Sequence, residues 1–305
     1  MECDLSKRYP MCEEIPEAIN AGAGVLHVVA TPIGHLDDIS RRAADVLGSV
    51  AMIAAEDTRR TLKLLSALGL SAPKMLALHE HNEEQAADRV LAMLCSGGTV
   101  ALVSDAGTPL LSDPGFVLVS RCFEAGIPVR PVPGPSAVAA ALSVCPLPAS
   151  GSRFIGFLPA REGARRKRLA GLLAGGEPVV FFEAPHRLRR TLTMLHELEG
   201  RRRLFVAREM TKRFETYLAG TPESLIRRMD QAEQWRGEMV CVLEGGAASR
   251  AAGAADPADR QRLMDILSAE LAPAQAARLG AQILGVRKSE LYDLLRRQDR
   301  EEGGD

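Results

Sequence analysis

Residues 100–115 read VALVSDAGTPLLSDPG, a short apolar run followed by a polar loop rich in glycine and proline. The run at 100–103 contains no polar residue, which is typical of a central parallel strand that is buried on both faces. The loop after it contains Asp105, Gly107 and Pro109. Because ligands bind at the carboxyl ends of strands in open α/β sheets, this loop is a candidate binding loop. The same residue types also favour an ordinary turn, so this stretch alone leaves both interpretations open.

Two further apolar runs end in similar loops. Residues 25–30 lead into TPIG at 31–34, and residues 127–132 lead into PGPS at 133–136. Proline fixes φ and removes a donor, whereas glycine lets the backbone approach a ligand closely. Three such loops along one sheet edge predict a groove that is lined mainly by main chain.

The composition indicates a globular protein that is long enough for two domains. The chain has 305 residues, of which 46% are hydrophobic and 25% charged. No apolar run approaches the roughly 20 residues that cross a bilayer, and acids and prolines near the N-terminus argue against a signal peptide. The six cysteines show no C-x-x-C spacing. We therefore expect reduced thiols in a cytoplasmic protein, with no membrane association, no metal site and no disulfide framework.

The order of the predicted elements gives the domain organisation. Strands and helices alternate from residue 25 to about residue 146, which predicts a mostly parallel sheet that is covered on both faces. Prolines at 145–150 indicate a boundary, and apolar strands resume at 154–159, 179–185, 203–209 and 238–246. We predict a flexible extension (1–23), an α/β domain with the binding loops (24–148), a basic α/β domain (149–246), a linker (247–258) and a helical extension (259–305). Three short helices are expected in that extension, at 260–271, 274–284 and 288–297.

Positive charge is concentrated in the second predicted domain. Residues 151–213 contain 15 Lys or Arg and 6 Asp or Glu, although the whole chain has a net charge of −1. A basic region in a nearly neutral protein favours a surface for a polyanion such as RNA. The alternative is a set of solvated helix faces. Aromatic residues make up only 4% of the chain, which disfavours a platform for stacking bases.

Several motif classes are absent from the sequence. It has no G-x-G-x-x-G, no P-loop, no serine nucleophile elbow and no H-E-x-x-H, so standard dinucleotide, Rossmann-type donor, P-loop and zinc-helix sites are excluded. Polar side chains instead follow the predicted strands in both halves. Each has an ordinary explanation, such as helix capping by Asp57 or a surface pair between Glu209 and Lys212. Their shared position at strand ends favours a site.

The motifs together resemble a known family. TPIGHLDDIS (31–40), AAEDTRRT (54–61), HEHNE (79–83), SDAGTPLLSDPG (104–115), PVPGPSA (131–137), FIGFLP (154–159) and FFEAPHR (181–187) are similar to signatures of the ribosomal RNA small subunit methyltransferase I family. This family is a branch of the tetrapyrrole (corrin/porphyrin) methylase superfamily. The resemblance runs from about residue 25 to 246, and more weakly through 285–292. His35 departs from the pattern, which has asparagine there.

The resemblance implies two α/β domains of the tetrapyrrole methylase type, not of the Rossmann methyltransferase type. S-adenosylmethionine would bind in the cleft between them, usually in a homodimer, and no metal is expected. The implied reaction is methylation of the ribose 2′-oxygen of cytidine 1402 in the decoding region of 16S ribosomal RNA within the small subunit. The implied donor contacts are Pro32, Asp105, Ala106, Thr108, Ser136 and Ala137.

The implied reaction also needs a base that accepts the hydroxyl proton and residues that bind the RNA phosphates. The candidate bases are Glu56 and Glu183, which directly follow their predicted strands, and Asp57, His81 and His186. The candidate phosphate-binding residues are Arg59, Arg165, Arg166, Lys167, Arg168, Arg187 and Lys212. Two alternatives remain open: a methylase of the same superfamily that acts on a corrin or porphyrin precursor, and a non-enzymatic RNA-binding or ribosome assembly protein.

Overall fold

The computed structural model describes residues 24–246, 257–284 and 291. The predicted extension at 1–23, most of the predicted linker and most of the predicted helix at 288–297 lie outside these residues. Two five-stranded sheets form the centre of the described part.

The first sheet is entirely parallel, with the strand order β3–β2–β4–β1–β5. Its strands are β1 (Leu26–Val29), β2 (Met52–Ala55), β3 (Lys74–Ala77), β4 (Val100–Val103) and β5 (Val129–Val132). The connecting helices are α1 (Arg41–Ser49), α2 (Thr58–Ala67), α3 (Glu83–Cys95) and α4 (Phe116–Glu124), and α5 (Ala137–Ser143) follows β5. Every residue of β2 and β4 is buried, as their apolar sequences predict. The expected parallel sheet is confirmed.

The strand order places the three predicted loops side by side. Strands β4, β1 and β5 are neighbours, and the carboxyl ends of parallel strands meet at one edge of a sheet. The loops after these strands are therefore adjacent, although more than 70 residues along the chain separate the start of the loop after β1 from the start of the loop after β4.

The second sheet is mixed, with the order β6–β7–β10–β8–β9. Its strands are β6 (Arg153–Phe157), β7 (Val179–Glu183), β8 (Leu204–Arg208), β9 (Thr216–Gly220) and β10 (Met239–Leu243). Its helices are α6 (Glu162–Gly175), α7 (Pro185–Glu199) and α8 (Pro222–Gln231). Only β6 and β7 pair in parallel. Neither α6 nor β9 was apparent from the sequence, because α6 contains three glycines and β9 is a short, partly exposed edge strand.

Helix α5 packs one sheet against the other. Ile33 and Ala141 from the first half share a buried apolar cluster with Val180, Phe205 and Val240 from the second. This contact holds the carboxyl edge of the first sheet against the second sheet and defines a cleft between them.

Two C-terminal helices follow, α9 (Pro257–Glu270) and α10 (Pro273–Leu284). They agree with two of the three predicted C-terminal helices and pack around Met264, Ala276, Ala277 and Leu291. In the part of the chain that the structure describes, no helix has the length and apolar character that crossing a bilayer requires.

Candidate active site

The three adjacent loops are hydrogen-bonded to one another. Thr31 N–H donates to Gly107 O at 2.9 Å, and Gly107 N–H donates to Thr31 O at 3.0 Å. The Thr108 hydroxyl donates to Pro135 O at 3.0 Å, which joins the loop after β4 to the loop after β5. The edge is therefore a continuous, cross-linked strip of backbone.

Small residues keep this strip open. Gly107 has φ +84°, a conformation that glycine adopts at little cost, and a Cβ at Gly134 would lie 3.1 Å from Ala30 Cβ. A recess of about 50 Å³ adjoins the strip, and its lining includes Ala106, Thr108, Ser136 and Ala137. Five of the six predicted donor contacts line this recess or the larger cavity beside it, and the sixth, Pro32, lies in the loop after β1.

A cavity of about 440 Å³ lies between the two sheets. Glu56, Arg60, Asp105 and Asp113 line it from the first half, and Phe157, Phe182, Glu183 and Glu238 line it from the second. Its volume lies in the range of small-molecule sites. Another recess, of about 370 Å³ between α7 and α8, contains none of the predicted site residues.

The carboxylate of Asp105 connects the loop after β4 to the loop and helix that follow β2. Oδ1 accepts from Asp57 N–H at 3.1 Å, and Oδ2 pairs with Arg60 Nη1 at 2.9 Å. Burial raises the pKa of Asp105 above its ordinary value, although the charge of Arg60 and the hydrogen bond from Asp57 act in the opposite direction. Asp57 also accepts from Arg59 N–H and caps α2, so its side chain has the structural role that the sequence allowed.

Glu56 and Asp113 bring two further carboxyl groups to the same wall. Glu56 Oε2 accepts from Asp105 N–H at 3.2 Å. Burial, and next the charge of Glu56, raise the pKa of Asp113 to about 6, whereas a hydrogen bond with the Ser104 hydroxyl lowers it and the charge of Asp105 raises it. Asp113 was not among the candidates apparent from the sequence, because it lies ten residues beyond the end of β4 and only the fold returns it to the strand edge.

The loop that carries Asp113 has unusual backbone geometry. Leu110 and Ser112 have φ of +70° and +85°, a region that residues with a Cβ rarely adopt. Such conformations cluster at functional sites, where the surrounding structure maintains them. The repeated Ser-Asp of the motif, at 104–105 and 112–113, was the available signal for a second acidic residue.

Glu183 lies on the opposite wall with its side chain fully buried. Oε1 accepts from Ala184 N–H at 2.9 Å and pairs with Arg187 Nη2 at 2.8 Å, while Oε2 accepts from the Thr191 hydroxyl at 2.7 Å. Both carboxylate oxygens are thus engaged in holding the first turns of α7. The side chain of Arg187 is only 17% exposed, and its guanidinium group is paired with the Glu183 carboxylate.

The two histidine candidates lie away from these carboxylates. His81 is exposed, and its ring centroid lies 6.1 Å from that of His79. His186 is also exposed, in the first turn of α7. Neither ring lines the cavity between the sheets.

Apart from Arg187, which is paired with Glu183, the basic candidates divide into three groups. Arg165 is only 2% exposed and donates to the carbonyls of Pro159 and Ala160, which corrects the prediction that it lies on an RNA-facing surface. Arg166 and Lys212 are engaged in ion pairs, with Glu197 and with Glu209 and Glu238. Among the described residues, Arg59, Lys167 and Arg168 are exposed and form no ion pair.

His35 performs a local structural function. Its Nδ1 accepts from Asp37 N–H at 3.2 Å and caps a short 3₁₀ turn, and its own N–H donates to the Thr211 hydroxyl at 3.0 Å. An asparagine oxygen can accept the same capping hydrogen bond. The departure from the expected motif therefore preserves the cap.

Comparison with known proteins agrees with this geometry. Residues 25–226 match the Tetrapyrrole (Corrin/Porphyrin) Methylases, and residues 254–298 match the RsmI C-terminal HTH domain. The ribosomal RNA small subunit methyltransferase I of Xylella fastidiosa (strain Temecula1) is 48% identical over 271 residues, which span 88% of this chain and 98% of that relative. The chain belongs to the ribosomal RNA small subunit methyltransferase I family.

Other members of the family show the same extent of similarity. The proteins of that name from Neisseria meningitidis serogroup B and Escherichia coli O157:H7 are 48% and 45% identical to this chain. The alignments cover 89% and 88% of this chain, and 92% and 93% of those relatives. The family resemblance that the motifs carried is confirmed.

Solved structures confirm the predicted fold. The methyltransferase CobJ superposes with a TM-score of 0.55 at 20% identity, covering 74% of this chain and 95% of that one. The cobalt precorrin-4 methyltransferase CbiF superposes with a TM-score of 0.52 at 15% identity, covering 72% and 94%. At these identities the likeness concerns the fold alone, which is of the tetrapyrrole methylase type.

Proposed function

We propose that this protein transfers a methyl group from S-adenosylmethionine to the ribose 2′-oxygen of cytidine 1402 in 16S ribosomal RNA. The observation that carries the proposal is the meeting of three cross-linked backbone loops with a carboxylate-lined cavity, in a member of this family. The relatives' name supports the RNA substrate. The choice of this cytidine as the target, and of its 2′-oxygen as the methylated atom, is based on the motif resemblance.

The donor fits the first wall of the cavity in chemical terms. Its sulfonium and ammonium groups are cationic, and the wall presents carboxylates and loop backbone with no metal ligand set among the described residues. Pro32, Ala106, Thr108, Ser136 and Ala137 would contact the donor through backbone or small side chains. Asp105 would accept hydrogen bonds from its hydroxyl or ammonium groups.

Methyl transfer requires an aligned hydroxyl and a proton acceptor. The 2′-oxygen attacks the methyl carbon, the carbon–sulfur bond breaks, S-adenosylhomocysteine leaves, and the hydroxyl proton passes to a base. Alignment and a positioned base both lower the barrier. We assign the proton acceptor to Asp113, because a carboxylate with a pKa of about 6 is ionised near neutral pH and accepts a proton more readily than an ordinary aspartate.

The earlier candidates have other functions in this proposal. Glu56 raises the pKa of Asp113 through its charge and positions Asp105 through a hydrogen bond. Glu183 holds α7. Arg59, Lys167 and Arg168 contact RNA phosphates, since they are the named cations that are free of ion pairs in the described part of the chain.

The remaining expectations follow from this substrate. We propose that the protein acts in the cytoplasm, where ribosomal subunits are assembled, and that it works as a homodimer, as the motif resemblance implies. The oligomeric state can be tested directly by light scattering coupled to size-exclusion chromatography.

Labelled donor provides the decisive test of the reaction. Small subunits from cells that lack this protein are incubated with the donor and the enzyme, and nuclease digests are analysed by mass spectrometry for 2′-O-methylcytidine. We expect methylation at one cytidine, with no transfer to corrin or porphyrin precursors. Transfer to a precursor but not to the subunit would overturn the proposal, as would methylation on a base carbon or nitrogen.

A further inference from the structure

Between two of its paired positions, strand β6 has one residue more than its partner β7. Arg153 and Phe154 pair with Val179 and Val180, but the next paired residues are Phe157 and Phe182. Three steps along β6 therefore match two steps along β7. Gly156, with φ +65°, provides the left-handed conformation that such a β-bulge can require.

The bulge determines where the ring of Phe157 lies. In a regular strand, residues three apart point to opposite faces. Here both Phe154 and Phe157 lie against Phe182, with ring centroids at 5.1 and 5.4 Å. The extra residue thus turns Phe157 to the cavity side of the sheet, and bulges are over-represented beside active sites, where they redirect a side chain.

The same bulge contacts the loop of the opposite wall. A Cβ at Gly156 would lie 2.7 Å from Ser112 Oγ, so this glycine allows the strand to touch the segment next to Asp113. The position of Phe157 is consequently linked to that of the proposed proton acceptor.

Phe157 remains 56% exposed although it lines the cavity. The bulged backbone presents this ring beside the proposed reaction site, and the ring of Phe182 packs against it at a tilt of 59°. An exposed aromatic face of this kind is a surface on which a planar ligand can stack. In the proposed reaction the planar group beside the reacting ribose is its own nucleobase. Recognition of single-stranded RNA commonly stacks an unpaired base on an aromatic side chain.

We propose that Phe157 is the platform on which the base of the target nucleotide stacks when its ribose enters the cavity. This inference rests on the proposed function. The low aromatic content of the chain, 4%, disfavoured a platform for stacking bases. Phe157 is nevertheless a single exposed ring at the cavity, and one flipped nucleotide needs only one ring. Carboxylates in the same cavity, such as Glu238, can accept from the exocyclic amino group of cytosine.

Three substitutions at this position separate stacking from simple apolar contact. Phe157→Ala removes the ring, Phe157→Leu keeps apolar volume without a π face, and Phe157→Trp keeps a π face. Loss of one base–aromatic stack corresponds to roughly a 5- to 150-fold loss in kcat/KM for small subunits. We expect a loss of this size for Ala, a similar or slightly smaller loss for Leu, and near wild-type activity for Trp.

Donor affinity and a matched surface variant complete the experiment. Titration calorimetry should give an unchanged donor Kd for all three variants, and Phe123→Ala, which removes another exposed ring on α4, should leave kcat/KM unchanged. Full activity of Phe157→Ala, equal activity of the Leu and Trp variants, or a weakened donor Kd would overturn the platform while leaving the proposed function intact. A wild-type protein that methylates no subunit RNA would instead overturn the proposed function, and the platform with it.

Discussion

Arg60 extends from α2 to the loop after β4, where its Nη1 lies 2.9 Å from Asp105 Oδ2. The other carboxylate oxygen of Asp105 accepts from Asp57 N–H. Asp105 thus joins the loops that follow β2 and β4 and also lines the cavity. Because the Arg60 side chain is 63% exposed, a cationic donor can replace it beside Asp105 at little cost in burial.

Substitution of Asp105 should therefore weaken donor binding. Hydrogen bonds to a charged group contribute about 1.5–3 kcal/mol, so Asp105→Ala should raise the donor Kd by roughly 10- to 150-fold in titration calorimetry. Asp88→Ala is the matched control, because Asp88 pairs with Arg121 at 2.7 Å on the surface and does not line the cavity. Equal donor affinity in wild type and Asp105→Ala would exclude Asp105 from the donor site.

Asp113 should control both the rate and its pH dependence. If it accepts the hydroxyl proton, Asp113→Asn should lower kcat by roughly 10²- to 10⁴-fold without changing donor affinity. The wild-type kcat should fall as the pH decreases through about 6, where the carboxylate becomes protonated. Single-turnover rates between pH 5 and pH 8 test this, and a flat profile in this range would remove Asp113 from the proton transfer.

The raised pKa of Asp113 also predicts how stability depends on pH. Folding is favoured at low pH, where the carboxyl group is protonated, whereas kcat is favoured at higher pH, where it is ionised. A group whose pKa is higher in the folded than in the unfolded state favours folding at low pH, and that contribution is lost as the pH rises through the folded pKa. Asp113→Asn should therefore raise Tm at pH 8 relative to wild type while it lowers kcat. A variant with both lower Tm and lower kcat at pH 8 would indicate general damage to the loop.

Glu56 provides an independent test of this electrostatic account. Its charge contributes to raising the pKa of Asp113, second only to burial. Glu56→Gln should therefore shift the midpoint of the acidic limb of the kcat profile to lower pH while leaving activity at pH 8 within about one order of magnitude, since the acceptor remains. A loss at pH 8 as large as that of Asp113→Asn would identify Glu56 as the proton acceptor instead.

Local signals account for the part of the site that the sequence predicted. Each of the three loops follows an apolar strand and contains glycine and proline. Patterns of a few residues were therefore enough to predict where these strands end and that main chain lines the groove. Asp113, Phe157 and Arg165 depend on longer-range geometry. The first returns to the edge through a strained loop, the second is turned by a bulge, and the third is buried by the helix packing of α6. From composition alone, every cation of the basic region was predicted to lie on the surface. The packing of α6 buries Arg165 and leaves Lys167 and Arg168 exposed.

Thr191 distinguishes the structural function of Glu183 from a catalytic one. Its buried hydroxyl donates to Glu183 Oε2 at 2.7 Å, so Thr191→Val should leave a buried carboxylate oxygen without this partner and lower the free energy of unfolding by about 1–3 kcal/mol. Donor affinity and kcat at a temperature well below Tm should stay unchanged. Thr193→Val is the control, because Thr193 is an exposed residue two positions along the same helix. A large fall in kcat with no loss of stability would restore Glu183 as a candidate base.

Lys167 and Arg168 should contribute directly to the electrostatic part of RNA binding. Each phosphate contact with single-stranded RNA adds about 0.7 to the negative slope of log K against log salt. If both side chains contact phosphates, the double variant Lys167→Ala/Arg168→Ala should reduce the magnitude of that slope by roughly 1.4 and weaken binding equally for different RNA sequences. Arg121→Ala serves as the control, since Arg121 is paired with Asp88 and Glu84 in the first half of the chain. Filter binding of 16S RNA between 50 and about 200 mM salt covers the range in which such slopes are resolved. An unaltered slope in the double variant would mean that these two cations are solvated and that the RNA is held elsewhere.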